Sequence, residues 1–160
     1  MKIWNIYFLI LIGLLTSSCG FKPIYKADNN KHYQLLESVE IELMHSIEGA
    51  DFYNHLKNIL PPNSDSKYQI ITNIVFIENY SIIQDNADVL RAIITAQVSF
   101  KLIDKKTDKI LLNSSFSRPS SYSTTFSPYS NLIQKHEVLK NLSIMVAEEI
   151  RNRLIIHFYK

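Results

Sequence analysis

Cysteine and glycine are both scarce in this chain, and each scarcity excludes a class of site. The 160 residues include one cysteine, Cys19, and three glycines. A single cysteine cannot form an internal disulfide, and it cannot supply the ligand spacing of a zinc or redox motif. With so few glycines, neither a glycine-rich phosphate-binding loop nor a dinucleotide-binding fingerprint is possible.

A large excess of charge is also missing, since the formal net charge at pH 7 is +2. This balance gives no global attraction to nucleic acid, so we predict no nucleic-acid partner, and any anionic partner must be bound by a local cluster. Residues 19–160 are enough for one domain that buries about two-thirds of its unfolded surface and needs no disulfides.

The catalytic motifs that we considered are incomplete. His136 and Glu137 begin like a zinc-protease helix, but Lys140 stands where the second histidine is required. Asp51 and His55 lie one helical turn apart, and two ligands with no third nearby are more often a surface pair than a metal site. No serine lies in a Gly-x-Ser-x-Gly turn. The sequence therefore predicts a protein that is not an enzyme and has no metal or cofactor.

The N-terminus has the pattern of a lipoprotein signal peptide. Lys2 is a minimal positive n-region, residues 3–15 form an apolar h-region, and small residues precede Cys19. The apolar run is too short to span a bilayer, which takes about 20 residues. Thr16 occupies the position three residues before the cysteine where leucine is usual. We predict a signal peptide over residues 1–18 and lipidation at Cys19; a plain secretory signal or a short N-terminal anchor is the alternative.

The remaining chain divides into a polar tether and one domain. Residues 26–33 are polar, so residues 19–34 are predicted to be the lipidated N-terminus and tether, and residues 35–160 a single α/β domain. Within the domain, period-two alternation predicts strands at 39–43, 89–103 and 110–116, with a turn at 104–108. A long β-rich run with apolar residues on both faces predicts a central strand at 68–80. Helical periodicity predicts helices over 51–60, ended by Pro61, and from Pro128 onward, capped by Ser127.

This element order, β-α-β-β-β-α, predicts an α+β two-layer sandwich. Two helices would pack on one face of a mostly antiparallel four-stranded sheet. The apolar stripe of the closing helix consists of residues at three- and four-residue steps: Leu132, Leu139, Leu142, Val146, Ile150 and Leu154. A loop rich in serine, threonine and tyrosine is predicted over 118–127. Its aromatic residues Tyr122, Phe126 and Tyr129 would staple the last helix, with insertion into a partner as the alternative.

Basic and polar residues mark two candidate contact regions. The polar side of the strand at 89–103 is either a solvated face or a contact for a polar partner, and it carries Arg91, Thr95, Gln97, Ser99 and Lys101. Lys105 and Lys106 lie in the following turn with Asp104 and Asp108 among the lysines. Such ammonium groups would pair with phosphates as point charges, although turns are ordinarily charged.

Several segments resemble the LptE family of lipopolysaccharide-assembly lipoproteins, in its alphaproteobacterial form. Residues 19–25, Cys-Gly-Phe-Lys-Pro-Ile-Tyr, are similar to the start of the mature family members. The Ser121-Tyr122 pair, Tyr129, Glu137 and the ending at 147–154 are similar to motifs of the C-terminal half. Arg91 falls where the family often has Thr-Arg, with Leu90 here in place of the threonine.

The resemblance implies a non-enzymatic outer-membrane lipoprotein that acts as plug and assembly partner of an LptD-type β-barrel translocon and binds lipopolysaccharide. Together with the charge pattern, it gives Arg91, Lys105 and Lys106 as candidate lipopolysaccharide contacts. Membrane attachment would be through the lipid on Cys19, and Gly20 after the cysteine is typical of outer-membrane sorting. The alternative is an auxiliary lipoprotein subunit of another periplasmic lipid-transport system.

Overall fold

The computed structural model describes residues 30–44, 47–61, 65–82 and 90–159. The predicted signal peptide, Cys19 and most of the predicted tether lie outside these ranges. The described chain forms three helices and four strands: α1 (Asn30–Glu37), β1 (Val39–Ile41), α2 (Ile47–Ile59), β2 (Tyr68–Ile82), β3 (Leu90–Asp104), β4 (Lys109–Ser123) and α3 (Pro128–Tyr159).

The four strands form one mixed sheet in the order β1-β2-β3-β4. β1 runs parallel to β2, with Val39 beside Tyr68. The strands are parallel because helix α2 carries the chain back to the end of the sheet at which β1 begins. The β2–β3 and β3–β4 pairs are antiparallel and extend over almost the full length of the strands. The predicted two-layer α+β sandwich with a mostly antiparallel sheet is confirmed.

One face of the sheet forms the core with the helices. Alternate residues of β3 point to this inner face, and none of them is more than 3% exposed: Ala92, Ile94, Ala96, Val98, Phe100 and Leu102. Phe52 and Leu56 of α2 are fully buried in the same core, as the predicted helical face requires. The stripe of α3 also reaches this core, with Leu142, Val146 and Ile150 fully buried.

A tight turn and a helix cap fix the ends of the long elements. In the β3–β4 hairpin, Asp104 Oδ1 accepts hydrogen bonds from the backbone nitrogens of Lys106 and Thr107, at 2.8 and 3.1 Å. Asp108 takes the left-handed backbone region at φ 52°, which aspartate tolerates better than most residues. At the start of α3, Ser127 Oγ accepts from the backbone nitrogen of Ser130 at 3.4 Å, so the predicted cap is present.

The structure corrects three sequence predictions. Residues 118–123 are not a loop but the second half of β4, paired with β3 from Ala96 to Arg91. Pro119 is compatible with this strand because β4 lies at the sheet edge, where a missing donor can face away from the ladder. The strand at 39–43 ends at Ile41, and Leu43 is 65% exposed. Leu132 is 63% exposed, so the buried stripe of α3 starts further along the helix.

The structure also adds helix α1, which the sequence analysis did not predict. It overlaps the last residues of the predicted tether and places Leu36 in the core, at 6% exposure. Ser38 follows α1 and closes the turn into β1 by donating its Oγ hydrogen bond to Leu35 O at 2.7 Å. In the described residues, no helix is long and apolar enough to cross a membrane.

Candidate functional site

The three candidate lipopolysaccharide contacts do not form one site. Arg91 lies at the start of β3, whereas Lys105 and Lys106 lie in the turn after its end. At about 3.3 Å per residue, the two positions are roughly 45 Å apart. A single phosphate group cannot contact both ends, so the two regions must be considered separately.

Arg91 points to the outer face of the sheet, away from the helices. Its side chain is exposed, and its Nε and Nη2 donate to Ser121 Oγ at 3.0 and 2.7 Å. Ser121 on the edge strand therefore holds the guanidinium next to β4. A guanidinium has five N–H donors, and no described residue bonds to Nη1 of Arg91. This arrangement is suited to an external phosphate or carboxylate.

Lys105 is already committed to a contact within the fold. Its Nζ lies 2.6 Å from Glu40 Oε2 and donates to Ser66 Oγ at 2.9 Å. The hydrogen bond from Lys105 holds the pKa of Glu40 below its usual range, so the carboxylate stays ionised. The backbone nitrogen of Lys105 also donates to Lys67 O at 2.9 Å. Lys105 thus fastens the β3–β4 turn to β1, which leaves Lys106, whose side chain is exposed, as the more available cation of this turn.

The outer face is uncovered by the described helices and carries mixed side chains. The predicted polar positions of β3 do lie there, with Gln97, Ser99 and Lys101 exposed. β2 adds exposed apolar side chains at Ile71, Val75 and Ile77, between 37% and 47% exposed. β4 adds polar residues and one proline at Asn113, Ser115, Ser117, Pro119, Ser121 and Ser123. No residue that points to this face within 69–79, 91–103 and 113–123 carries a carboxylate.

The Ser-Tyr motif lies in β4 and has an internal partner that the sequence analysis missed. Tyr122 is 8% exposed, and its hydroxyl donates to Glu78 Oε1 at 2.6 Å. Lys135 of α3 reaches the second oxygen of the same carboxylate, also at 2.6 Å. Burial raises the pKa of Tyr122, and its bond to Glu78 raises it further. Burial also acts to raise the pKa of Glu78, but the hydrogen bonds from Lys135 and Tyr122 outweigh it and the pKa is lowered.

The motif at 147–154 is likewise part of the helix–sheet contact. Ala147, Ile150 and Leu154 are fully buried. Glu149 accepts from Arg153 Nε at 2.8 Å and from Arg118 Nη2 of β4 at 2.7 Å. These family-like residues therefore hold α3 on the sheet.

The hydrogen bond from Arg153 holds the pKa of Glu149 below its usual range despite partial burial. Arg153 also lies over the Phe116 ring, with Cζ 4.6 Å from the centroid, and bonds to Ser114.

The predicted aromatic staple is wrong for two of its three residues. Phe126 is 87% exposed, and Tyr129, in the first turn of α3, is 74% exposed, so neither ring staples the start of the helix. The loop is held instead by Asn131, whose Oδ1 accepts from Thr125 N at 2.7 Å and whose Nδ2 donates to Thr125 O at 2.8 Å. Glu137, another motif position, is exposed. In the described ranges, no group of three His, Asp, Glu or Cys residues is placed to hold a metal ion.

Solved structures of lipoproteins share this fold. A candidate lipoprotein of Caulobacter crescentus CB15 superposes with a TM-score of 0.64 at 15% identity, covering 80% of this chain and 96% of that one. The minor lipoprotein of Acinetobacter baumannii gives 0.57 at 13% identity, covering 76% and 94%. The rare lipoprotein B of Shewanella oneidensis gives 0.51 at 9% identity, covering 73% and 91%. At these identities the likeness concerns the fold.

Sequence comparison identifies a relative in another bacterium. No family model matches the chain. The uncharacterized protein RP188 of Rickettsia prowazekii (strain Madrid E) is 35% identical over 153 residues, which covers 96% of this chain and 97% of the relative. Identity at this level over almost the whole of both chains shows common ancestry, and the chain therefore belongs to the protein family of Rickettsia prowazekii RP188.

Proposed function

We propose that this protein is an outer-membrane lipoprotein of the lipopolysaccharide transport and assembly machinery. In this proposal it is held on the periplasmic side by lipid on Cys19, acts as plug and assembly partner of an LptD-type barrel, and binds lipopolysaccharide. The fold supports the proposal because it is that of three proteins described as lipoproteins, one of them rare lipoprotein B. The resemblance of residues 19–25 to mature LptE supplies the more specific part.

The observation that carries the proposal is the outer face of the sheet. It is long and uncovered by the described helices, and Arg91 and Lys101 lie on it. β2, β3 and β4 place no carboxylate on it within 69–79, 91–103 and 113–123, and Glu40 of the neighbouring β1, which points to the same side, is paired with Lys105. The lumen of a large outer-membrane barrel is lined by polar side chains, so a face of serine, threonine and amide groups is suited to it. A solvated domain surface normally intersperses both signs of charge.

We place the proposed contact with lipopolysaccharide at the Arg91 end of this face. Arg91 is exposed and oriented by Ser121, so a phosphate can be bound with little loss of side-chain freedom. Lys106 at the opposite end is a secondary candidate, and Lys105 is held in its contact with Glu40.

Co-purification of the tagged full-length chain tests the proposal. Envelopes are solubilised in mild detergent, and captured proteins are identified by mass spectrometry. Recovery of one large outer-membrane barrel protein supports the proposal, whereas recovery of an inner-membrane transporter instead supports an auxiliary subunit of another lipid-transport system.

Two double variants, one on the outer face and one on α3, test whether the captured barrel contacts this face. Arg91→Glu with Lys101→Glu introduces carboxylates on the sheet, while Lys140→Glu with Glu137→Lys changes exposed residues of α3 and keeps the net charge. Barrel recovery should fall for the first pair only. Equal recovery with both pairs would show that the barrel does not contact this face.

The anchor is tested separately by mass spectrometry of the mature N-terminus. Stable attachment requires more than one acyl chain or a second signal, because one chain gives only marginal membrane binding. We expect an acylated Cys19 in the wild type and loss of acylation with accumulation of precursor in Cys19→Ala. An unmodified Cys19 would remove the lipoprotein part of the proposal.

A further inference from the structure

A groove lies between β1 and α2, and the proposed function does not use it. It has a volume of about 720 Å³, and its lining includes Ile41, Leu43, Tyr53, Lys57 and Leu60. β1 is at the edge of the sheet, so the side of the strand away from β2 faces this groove. The groove is thus bounded by a strand edge on one side and by a helix on the other.

The hydrogen bonds of β1 show which backbone groups are free. Ser38 O accepts from the backbone nitrogen of Tyr68, and the backbone nitrogen of Glu42 donates to Ile70 O, both at 3.0 Å. Alternate residues of a strand direct their backbone groups to opposite sides. Ser38, Glu40 and Glu42 therefore face β2, and the N–H and C=O groups of Val39 and Ile41 face the groove, where no described residue pairs with them.

The side chains next to this edge indicate what a further strand would carry. Leu43 continues the apolar alternation of β1 but is 65% exposed at the groove. An apolar side chain of an added strand would cover it and would contact Leu60 on the core side. On the other side, Glu42 is exposed and pairs with no described residue, whereas Glu40 is paired with Lys105. A basic residue opposite Glu42 would form a favourable cross-strand pair.

We propose that the groove binds an extended segment of a partner polypeptide, in which apolar and basic residues alternate, as a fifth strand on the free edge of β1. Backbone hydrogen bonds to Val39 and Ile41 provide affinity, and side-chain contacts with Leu43 and Glu42 select the sequence. This inference is independent of the lipid anchor and does not use Arg91 or Lys101, because the groove lies along β1, at the opposite edge of the sheet from β4.

The test uses the purified full-length chain in detergent and a fluorescein-labelled hexapeptide that alternates lysine and valine. Binding is followed by fluorescence anisotropy. Two control peptides have the same length: one is methylated at every backbone nitrogen, and one has glutamate in place of lysine. Because one neutral hydrogen bond contributes about 1 kcal/mol, loss of the ladder should weaken binding by fivefold or more for the methylated peptide.

Matched variants locate the site on the protein. Ile41→Pro removes the N–H that faces the groove, and Ile41→Ala removes a similar part of the side chain but keeps that donor. We expect binding about fivefold weaker for Ile41→Pro than for Ile41→Ala. Glu42→Lys should weaken binding of the lysine peptide and strengthen that of the glutamate peptide, whereas Glu148→Lys on exposed α3 should change neither.

Two results would overturn the inference. One is the absence of saturable binding of the lysine–valine peptide at millimolar concentration. The other is binding to Glu42→Lys that equals binding to Glu148→Lys, since Glu42 is exposed and its replacement should leave the fold intact even if Ile41→Pro does not fold. Neither result depends on barrel capture or on lipopolysaccharide binding, so failure here is distinguishable from failure of the proposed function.

Discussion

Alternate residues of β3 lie in two very different environments. On the inner face, Ile94, Ala96 and Val98 are at most 3% exposed and contact a core built from both long helices. On the outer face, Gln97 and Ser99 are exposed, and no described helix covers them. Packing within the chain dictates the residue type on the inner face. It does not do so on the outer face, where solubility and partners set the composition.

Substitutions of buried α3 residues should have the largest effect on the free energy of unfolding, because they disrupt packing on the inner face. Leu142→Ala should lower the free energy of unfolding by about 2–5 kcal/mol, because Leu142 is fully buried and leaves a cavity. Val146→Asp should cost more, since an unpaired carboxylate would be buried. The matched outer-face change Gln97→Ala should stay within about 0.5 kcal/mol. Urea denaturation measures all three, and an equal loss for Gln97→Ala would contradict the distinction between the faces.

The Tyr122–Glu78 bond is the next largest contribution that the structure indicates on the inner face. Tyr122→Phe removes a 2.6 Å hydrogen bond to a largely buried carboxylate, so we expect a loss of about 1–3 kcal/mol in the free energy of unfolding. Tyr129→Phe is the matched control, because Tyr129 is 74% exposed. If both variants unfold at the same urea concentration as the wild type, Tyr122 does not stabilise the fold through its hydroxyl.

Acid should weaken the inner face through the two carboxylates that hold α3. The pKa values of Glu78 and Glu149 are both lowered in the fold from an ordinary value of 4.5. A lowered pKa stabilises the fold fully above the unfolded value, and this stabilisation is lost as the pH falls through the folded value. The urea concentration at the unfolding midpoint should therefore decrease as the pH falls below about 4.5. Glu78→Gln should make this decrease smaller. An unchanged slope in Glu78→Gln would contradict the role of this carboxylate.

The inner face could be predicted from sequence, and the polar contacts could not. The alternation in 89–103 and the stripe from Leu142 to Leu154 report burial directly, because apolar periodicity follows the geometry of strands and helices. Glu78 lies 44 residues from Tyr122 and 57 from Lys135, and nothing local marks such a pairing. The second half of β4 was missed because serine and proline are typical of loops, although an edge strand tolerates both.

The candidate site was predicted only in part, for a related reason. Charge clustering indicated Lys105 and Lys106, and the family resemblance indicated Arg91, but neither gave information about the partners of these residues. Glu40 is 65 residues from Lys105, and the contact that holds this lysine appears only when β1 is placed beside the hairpin. The exposed apolar residues of β2 did leave a signal, since Ile71, Val75 and Ile77 made the alternation of that strand two-sided.

Charge reversal at Arg91 tests whether the outer face, unlike the inner face, binds a ligand. Arg91→Glu should weaken binding of fluorescently labelled lipopolysaccharide about tenfold, because a charge-assisted hydrogen bond contributes about 1.5–3 kcal/mol. Lys106→Glu should have a smaller effect, and Lys140→Glu on α3 none. Raising salt to 1 M should reduce the difference between variants, since the Debye length falls to about 3 Å. Equal affinities for Arg91→Glu and Lys140→Glu would leave the outer face without a role in glycolipid binding.

Glu40→Gln should have the smallest effect on stability, and it tests whether Lys105 is structural or a ligand contact. The Lys105 and Glu40 side chains are 39% and 49% exposed, and exposed ion pairs contribute between about 0 and 1 kcal/mol. The unfolding midpoint should therefore change very little. Because the substitution removes the anionic partner of Lys105, a lysine able to contact lipopolysaccharide would then bind it more tightly. We expect the affinity of Glu40→Gln for lipopolysaccharide to be unchanged, because Lys105 serves only to fasten the turn to β1. A rise in affinity that is abolished by adding Lys105→Gln would instead assign Lys105 to the glycolipid site.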